Sequence, residues 1–270
     1  MSEQTYLRSS YAAPQIAHAY GERVHLLDDP LALTWLSRLG ARSTTQPEVG
    51  RLVRRLYEQL AWIVIAAELP RERVAVPTRM VASEPSAVYR GVAIDPRTPA
   101  VTVGIARAGT VPSQVFYEML NEVLDPANVR QDHLFMSRAV DAEGRVTGST
   151  WHDAKIGTDV DERVIVFPDP MGATGSSMIE AIRHYRTRLK GTPRKIVCVH
   201  LIVTPEYLKR VTSEQPDVVV YALRHDRGLS PDDALGALPG SDARERGLDS
   251  HQYIIPGAGG LGEILNNAWI

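Results

Sequence analysis

Cysteine is almost absent from this chain of 270 residues, in which Cys198 stands alone. A single cysteine cannot form a disulfide bond within its own chain. Cys198 lies inside the apolar run KIVCVHLIV, which predicts a buried strand residue rather than a nucleophile. An excess of charge of one sign is also missing, because 30 Lys and Arg residues nearly balance 32 Asp and Glu residues. The resulting net charge of −2 provides no basic field for nucleic acid or an anionic membrane surface.

Long apolar segments are lacking as well. No run reaches the roughly 18 apolar residues that span a bilayer. The N-terminal stretch MSEQTYLRSSYAAPQ has no apolar core of the kind found in signal peptides. We therefore expect a soluble, globular, cytoplasmic protein. A hydrophobic content of 44% over this length suits one large domain, or one domain with extensions.

What the chain does contain is an alternation of continuous apolar runs with segments of helical periodicity. Continuous apolar runs indicate strands covered on both faces, and strand–helix alternation indicates a parallel sheet with right-handed crossovers. The polar, glycine-containing segment 141–159 interrupts this pattern and predicts a long loop or hairpin, a common form for an active-site flap. The predicted strands are 99–105, 132–140, 163–167, 195–203 and 217–223, and the predicted helices are 47–69, 111–124, 176–189 and 205–211.

The stretch VIVFPDPMGATGSS (164–177) carries the clearest chemical signal. Asp169 follows a predicted central strand, at the sheet edge where open α/β sheets bind ligands. The small residues at 172–176 come next, at the start of a predicted helix, where backbone N–H groups and the helix dipole favour an anion. A carboxylate would repel a phosphate, so Asp169 suits the vicinal hydroxyls of a ribose instead. The stretch therefore predicts a ribose 5-phosphate site; the alternative is a helix N-cap after a tight turn.

Two other nucleotide-binding motifs do not apply. The Walker pattern GxxxxGK[ST] is absent from the sequence. GAGGLG (257–262) fits G-x-G-x-x-G, but only eight residues follow it, too few to complete a dinucleotide-binding βαβ unit.

The segment DPMGATGSS resembles the loop that binds 5-phosphoribosyl 1-diphosphate (PRPP) in phosphoribosyltransferases, and specifically the DPMLATGGS form found in uracil phosphoribosyltransferases. Three further segments resemble that family in the same order. GIARAG (104–109) is similar to its ILRAG turn, TPEYL (204–208) to its APEG segment, and GLDSHQYIIPGAGGLGE (247–263) to GLNxxGYIxPGLGDAGD. The resemblance runs from about Val24 to the C-terminus.

The resemblance implies an α/β fold of the phosphoribosyltransferase type: a parallel sheet flanked by helices, a flap loop or hairpin, and a C-terminal base-binding hood. It implies transfer of a phosphoribosyl group from PRPP to uracil, with Mg²⁺ accompanying PRPP, in a homodimer or higher homo-oligomer. Two alternatives stay open. The chain could act on a different acceptor in specialised metabolism, or it could be a non-catalytic descendant that binds PRPP or a nucleotide.

The resemblance also implies roles for individual residues. The catalytic groups would be Asp169, which holds the ribose hydroxyls, with Arg107 and Arg138, which hold the pyrophosphate. The implied PRPP site comprises Arg107, Ala108, Gly109, Arg138, Asp169, Met171, Gly172, Ala173, Thr174, Gly175 and Ser176. The implied base site comprises Tyr253, Ile255, Gly257, Gly260 and Gly262.

Several residues depart from the family pattern near the implied site. Gly260 stands where the family has the first acid of GLGDAGD, and Glu263 stands at the second. Gly172 replaces the leucine of DPMLATG, and Ile63-Val64 replaces a Tyr-Glu pair of the N-terminal helix. These changes weaken the assignment of uracil more than the assignment of PRPP.

The resemblance also suggests how the chain is organised. DRGLS and ERGLD both resemble the single GLN segment of the family, so residues 226–245 read as an insertion. We expect an N-terminal arm over residues 1–25 and a single phosphoribosyltransferase domain over residues 26–270.

Overall fold

The computed structural model of the chain describes residues 5–8, 10–140 and 146–268, with only the backbone described for Thr5 and for residues 137–140 and 146–151. The strands are β1 (Val24–Leu26), β2 (Arg71–Pro77), β3 (Val88–Ile94), β4 (Ala100–Ala106), β5 (Val129–Val140), β6 (Val146–Lys155), β7 (Val164–Pro168), β8 (Met171–Gly172), β9 (Lys195–Val203) and β10 (Val219–His225). The α-helices are α1 (Pro30–Leu39), α2 (Glu48–Glu68), α3 (Thr110–Val123), α4 (Ser176–Arg188), α5 (Pro205–Glu214), α6 (Asp232–Leu235) and α7 (Leu261–Asn266).

The central sheet has the strand order β1-β10-β9-β7-β4-β5-β6, with β8 paired to β9. Its pairings are parallel except for the antiparallel β5–β6 pair. The predicted α/β fold with a mostly parallel sheet is therefore confirmed. In β4 and β7 the apolar runs AVTVGI and VIVFP are buried throughout, as expected for strands covered on both faces.

Two apolar cores lie on opposite faces of this sheet. One packs α1, α2 and α3 against the sheet, with Leu56, Leu60 and Phe116 fully buried. The other packs α4 and α5 on the opposite face, with Ile182 and Leu208 fully buried. Right-handed crossovers place helices on both faces in this way, and they leave the carboxyl ends of the strands open for a site.

Cys198 lies in β9 and is fully buried, as its surroundings in the sequence predict. Burial raises the pKa of its thiol to about 12, which keeps the sulfur protonated and unreactive near neutral pH.

The described part of the interrupting segment 141–159 contains β6, the second strand of a long antiparallel hairpin, whereas residues 141–145 lie outside the described residues. Strand β6 pairs with β5 from His133↔Lys155 to Val140↔Val146. Of the two predicted forms, a long loop or a hairpin, the structure has the hairpin. Its function as a flap stays a prediction.

A second hairpin, β2–β3, forms a separate two-stranded sheet that the sequence analysis does not predict. The residues of β2 are exposed or half-buried. Its sequence RERVAVP therefore lacks the continuous apolar run that marks the strands of the central sheet.

Residues near the N-terminus pack against the segment 226–245. The Tyr20 hydroxyl donates to Glu245 Oε2 at 2.9 Å, and Arg227 Nη1 donates to Glu245 Oε1 at 2.7 Å. The Glu245 side chain is fully buried, and that of Arg227 is 15% exposed. The boundaries of the arm and of the insertion stay predictions. None of the helices in the described part of the chain has both the length and the apolar character needed to cross a membrane.

Candidate active site

A cavity of about 490 Å³ lies beyond the carboxyl ends of β4, β7 and β9. The turn after β4 and the loop between β7 and α4 form much of its wall, and the C-terminal segment 252–263 closes it from the side of α7. The sequence predicts a ligand site at this edge of the sheet. The lining residues are Ile105, Ala106, Arg107, Ala108, Met136, Asp169, Met171, Ala173, Thr174, Gly175, Ser176, Ser177, Met178, His200, Tyr207, Gln252, Tyr253, Ile254, Gly259, Gly260, Leu261, Gly262 and Glu263.

Asp169 is held at the end of β7 by two backbone hydrogen bonds. Its N–H donates to the Val199 carbonyl at 3.0 Å, which continues the pairing of β7 with β9. Its Oδ1 accepts from the Met171 N–H at 3.1 Å, which turns the chain away from the sheet. The carboxylate therefore lies in the cavity wall in a position fixed by the backbone on both sides.

The loop after Asp169 leads into the N-terminus of α4. Gly175 adopts a left-handed conformation, with φ of +79°, which favours glycine at this turn. Thr174 Oγ1 donates to Ser176 Oγ at 3.2 Å, and the Ser176 N–H points back to Thr174 Oγ1 at 3.4 Å. The hydroxyls and the first N–H groups of α4 thus gather at one place, an arrangement that suits a phosphate.

Arg210 of α5 adds positive charge beside this loop. Its Nη1 donates to Ser176 Oγ at 2.7 Å, and its Nε donates to Glu214 at 2.8 Å. The sequence analysis did not single out Arg210, because only the packing of α5 beside α4 brings it here.

The turn after β4 brings Arg107 to the opposite wall of the cavity. The Ala106–Arg107 peptide bond is cis. Arg107 Nη2 donates to Glu263 Oε1 at 3.2 Å, and Nη1 donates to the Ala268 carbonyl at 2.8 Å. At Gly109 a β-carbon would lie 2.8 Å from the backbone N and O of Ile105, so this tight turn requires glycine.

The C-terminal segment is fixed to the sheet through Asp226. Arg224 holds both carboxylate oxygens of Asp226, and the Gly257 N–H donates to Asp226 Oδ2 at 2.7 Å. The carbonyl of Gly257 in turn accepts from Arg224 Nη2 at 2.9 Å. Gly257 has a φ of +62° and takes part in this anchor instead of lining the cavity.

Most of the residues predicted for the site converge on the cavity. Arg107, Ala108, Asp169, Met171, Ala173, Thr174, Gly175, Ser176, Tyr253, Gly260 and Gly262 all line it. Gly109, Gly172, Ile255 and Gly257 do not, although each belongs to a segment that does. Arg138 lies in β5 by its backbone, but its side chain falls outside the described part of the structure.

His200 and Tyr207 also line the cavity, and sequence reasoning missed both. His200 lies in the middle of the apolar run of β9 and is fully buried. Burial lowers its pKa to about 4, so the imidazole is neutral at neutral pH. The one sequence feature that could have indicated His200 is its place within an apolar strand. That feature does not indicate which side chain His200 contacts.

The carboxylates of the cavity wall limit how a metal ion could be held. Asp169 and Glu263 both line the cavity. Within residues 5–8, 10–140 and 146–268, no group of three or more His, Cys, Asp or Glu side chains could hold a metal ion. Mg²⁺ typically binds through one or two carboxylates together with substrate phosphates, so this arrangement fits an ion that arrives with its substrate.

Comparison with known proteins agrees with this geometry. The uracil phosphoribosyltransferase family model matches residues 26–243. A uracil phosphoribosyltransferase of Dictyoglomus turgidum is 30% identical over 243 residues, covering 90% of this chain and 98% of the relative. One from Rhodococcus opacus is 28% identical over 243 residues, covering 90% and 97%. A solved protein of Aquifex aeolicus shares the fold with a TM-score of 0.67 at 22% identity, covering 92% of this chain and 99% of that protein.

Proposed function

Since this chain belongs to the uracil phosphoribosyltransferase family, we propose that it transfers the phosphoribosyl group of PRPP to uracil, giving UMP and pyrophosphate. The observation that carries the proposal is the convergence of Asp169, the 173–176 loop and Arg107 on one cavity. A ribose 5-phosphate with a pyrophosphate group needs a hydroxyl acceptor, a phosphate cradle and a cation, and these three elements supply them.

Each part of PRPP has a partner in this arrangement. The 5-phosphate would accept hydrogen bonds from the Thr174 and Ser176 hydroxyls and from N–H groups at the start of α4. Asp169 would accept hydrogen bonds from the ribose hydroxyls. Arg107 would donate to the pyrophosphate from its planar fork of N–H groups.

The reaction is a substitution at the anomeric carbon of the ribose. The bond from C1 to the pyrophosphate oxygen breaks, pyrophosphate leaves with the bonding electrons, and positive charge develops on the ribose. N1 of uracil forms the new bond to C1 and loses its proton to water. The protein's contribution is to orient the two reactants and to stabilise the departing negative charge, mainly through Arg107.

Mg²⁺ forms part of the proposal as a companion of PRPP. When bound, the ion neutralises charge on the pyrophosphate. Asp169 would contribute one carboxylate ligand, and the remaining ligands would come from PRPP and water.

The base is the part of the proposal that the departures from the family affect. Gly260 lines the cavity in place of an acid, and Tyr253 lines it with an exposed ring. Of these two, only the glycine departs from the family pattern, and it favours the second candidate function, transfer of the phosphoribosyl group to an acceptor other than uracil. The third candidate, a PRPP-binding protein without turnover, predicts binding and no pyrophosphate release.

The experiment that separates the three candidates is a pyrophosphate-release assay with PRPP, Mg²⁺ and a panel of nucleobases. Release with uracil alone supports the proposed function. Release with another base supports the second candidate. Calorimetric binding of PRPP without release from any base offered supports the third.

A further inference from the structure

A buried histidine–tyrosine pair lies directly beneath the loop that begins at Asp169. His200 in β9 is fully buried, and Tyr207 in the first turn of α5 is 1% exposed. The His200 Nε2 and Tyr207 Oη atoms are 2.6 Å apart, and His200 Nδ1 lies 2.6 Å from the Asp169 carbonyl oxygen. Both rings line the candidate active site.

The positions of the protons follow from these partners. A backbone carbonyl can only accept, so Nδ1 of His200 carries the proton and donates to Asp169. In a neutral imidazole the other nitrogen then accepts, so the Tyr207 hydroxyl donates to Nε2. Burial lowers the pKa of His200 to about 4, which is consistent with a neutral ring. The pair is thus a directed chain of hydrogen bonds that ends on the backbone of Asp169.

The ring of Tyr207 occupies space beside Gly172 in the same loop. A β-carbon at Gly172 would lie 2.9 Å from Val203 Cγ1 and 3.1 Å from Tyr207 Cγ. In the family motifs quoted above, DPMLATG has leucine at the position of Gly172, and APEG has glycine at the position of Tyr207. A leucine side chain here would require both Val203 and the Tyr207 ring to shift, so a bulky residue at position 172 competes with the ring for the same space.

Thr204 ties the remainder of the loop to the start of α5. Its N–H donates to the Gly172 carbonyl at 3.1 Å, and its hydroxyl donates to the Ala173 carbonyl at 2.7 Å. The same hydroxyl oxygen accepts from the Tyr207 N–H at 3.0 Å. The carbonyls of Asp169, Gly172 and Ala173 therefore all accept hydrogen bonds from one cluster, which consists of His200, Thr204 and Tyr207.

We propose that His200 and Tyr207 are positioning residues for PRPP: they hold the loop from Asp169 to Ala173 in its binding conformation, with the Tyr207 ring in the place of the family's loop leucine. This inference rests on the proposed function, because it takes PRPP as the ligand of the loop. It adds two residues that the family resemblance does not supply.

The first test compares two replacements of His200 by calorimetric titration with PRPP and Mg²⁺. His200→Asn keeps an amide donor near the position of Nδ1, whereas His200→Val removes it, and both lose the bond from Tyr207. We expect similar losses of thermal stability, but a PRPP affinity reduced about ten-fold by valine and clearly less by asparagine. Equal affinities in the two variants would overturn the inference, because a merely structural role does not depend on the donor to Asp169.

The second test addresses the exchange of leucine and tyrosine. Gly172→Leu should lower the melting temperature and abolish measurable PRPP binding. The double variant Gly172→Leu, Tyr207→Gly should recover part of both. A double variant that is no better than the single variant would overturn the proposed competition for this space.

The wild-type titration separates this inference from the function on which it rests. Wild-type protein that binds no PRPP overturns both. Wild-type protein that binds PRPP, with both His200 variants binding it as tightly as wild type, overturns the positioning role alone.

Discussion

Arg107 and Glu263 join the two sides of the candidate active site, with Arg107 Nη2 donating to Glu263 Oε1 across 3.2 Å. Arg107 follows β4, and Glu263 lies in α7, 156 residues further along the chain. Both side chains are about one-third exposed, so the pair is accessible to an incoming ligand. A guanidinium group has five N–H donors, and pyrophosphate could therefore bind Arg107 by replacing Glu263 or by sharing the guanidinium with it.

Arg107→Lys tests the assignment of the pyrophosphate contact. Lysine keeps the charge but loses the planar fork that can hold two phosphate oxygens. We expect turnover of PRPP to fall about ten-fold or more, while binding of ribose 5-phosphate, measured by calorimetry, changes little. Arg183→Lys on the surface of α4 serves as the matched control. Equal losses for both ligands would indicate a folding defect instead of a lost pyrophosphate contact.

Thr174→Val tests the phosphate cradle. Valine retains the shape of threonine but removes the hydroxyl, so the binding free energy of PRPP should weaken by about 1–3 kcal/mol, as for a lost hydrogen bond to a charged group. Calorimetric titration measures the change. Thr187→Val is the control, since the Thr187 hydroxyl bonds within α4 to the Arg183 carbonyl. Unchanged PRPP affinity in Thr174→Val would remove this loop from the binding site.

Gly260→Asp tests whether the lost acid matters for uracil. Gly260 has a φ of −79°, so aspartate meets no left-handed strain there. Its β-carbon would come against the flexible Glu263 carboxylate, which can move aside. For a uracil enzyme we expect turnover with uracil to stay at least at the wild-type level. A folded variant that loses turnover, judged against its melting temperature, would favour a bulkier acceptor that needs the space.

The stability of the fold should decrease in mild acid because of two buried histidines. Burial lowers the pKa of both His200 and His225 from 6.5 to about 4. Below about pH 6.5 the unfolded chain therefore binds protons that the folded chain does not. Above that pH, the two histidines should not lower the free energy of unfolding. It should fall as the pH drops from 6.5 through 4, by up to about 1.4 kcal/mol per pH unit for each histidine.

His225→Asn isolates one of these two contributions. His225 faces Tyr20, Glu245, Arg227, Asp226 and His18, none of which is changed by this replacement. Urea titrations at several pH values measure the free energy of unfolding. Between pH 6.5 and 4.5 its slope against pH should be smaller in the variant, by the amount that corresponds to about one bound proton. The same slope in variant and wild type would contradict the assignment of this loss to buried histidine.

Most strands of the central sheet and the core of the site could be predicted from the sequence, whereas the short strands β1 and β8 were not predicted. Strands such as β4, β7 and β9 are buried on both faces, and such strands have continuous apolar runs that can be recognised in the sequence. Asp169 and the loop after it follow directly from one of those strands. The hairpin β2–β3 was not predicted, because its exposed strands carry no comparable run.

Contacts that depend on tertiary packing could not be predicted from local patterns. His200 and Tyr207 belong to a strand and to the helix after it, and nothing in either segment indicates that their side chains meet at 2.6 Å. Glu263, the partner of Arg107, is 156 residues away along the chain, so no local pattern could indicate this contact either. The negative φ of Gly260 and the anchoring role of Gly257 also required the folded backbone.

The proposed phosphoribosyl transfer is tested by the product formed from PRPP and uracil in the presence of Mg²⁺. Chromatography with mass spectrometry would quantify UMP, and a coupled assay would quantify pyrophosphate in the same samples. Wild-type protein should form the two products in equal amounts, and Asp169→Asn, which cannot supply a carboxylate to the ribose hydroxyls, should form far less of both. Wild-type protein that binds PRPP but forms no UMP would contradict transfer of the phosphoribosyl group to uracil.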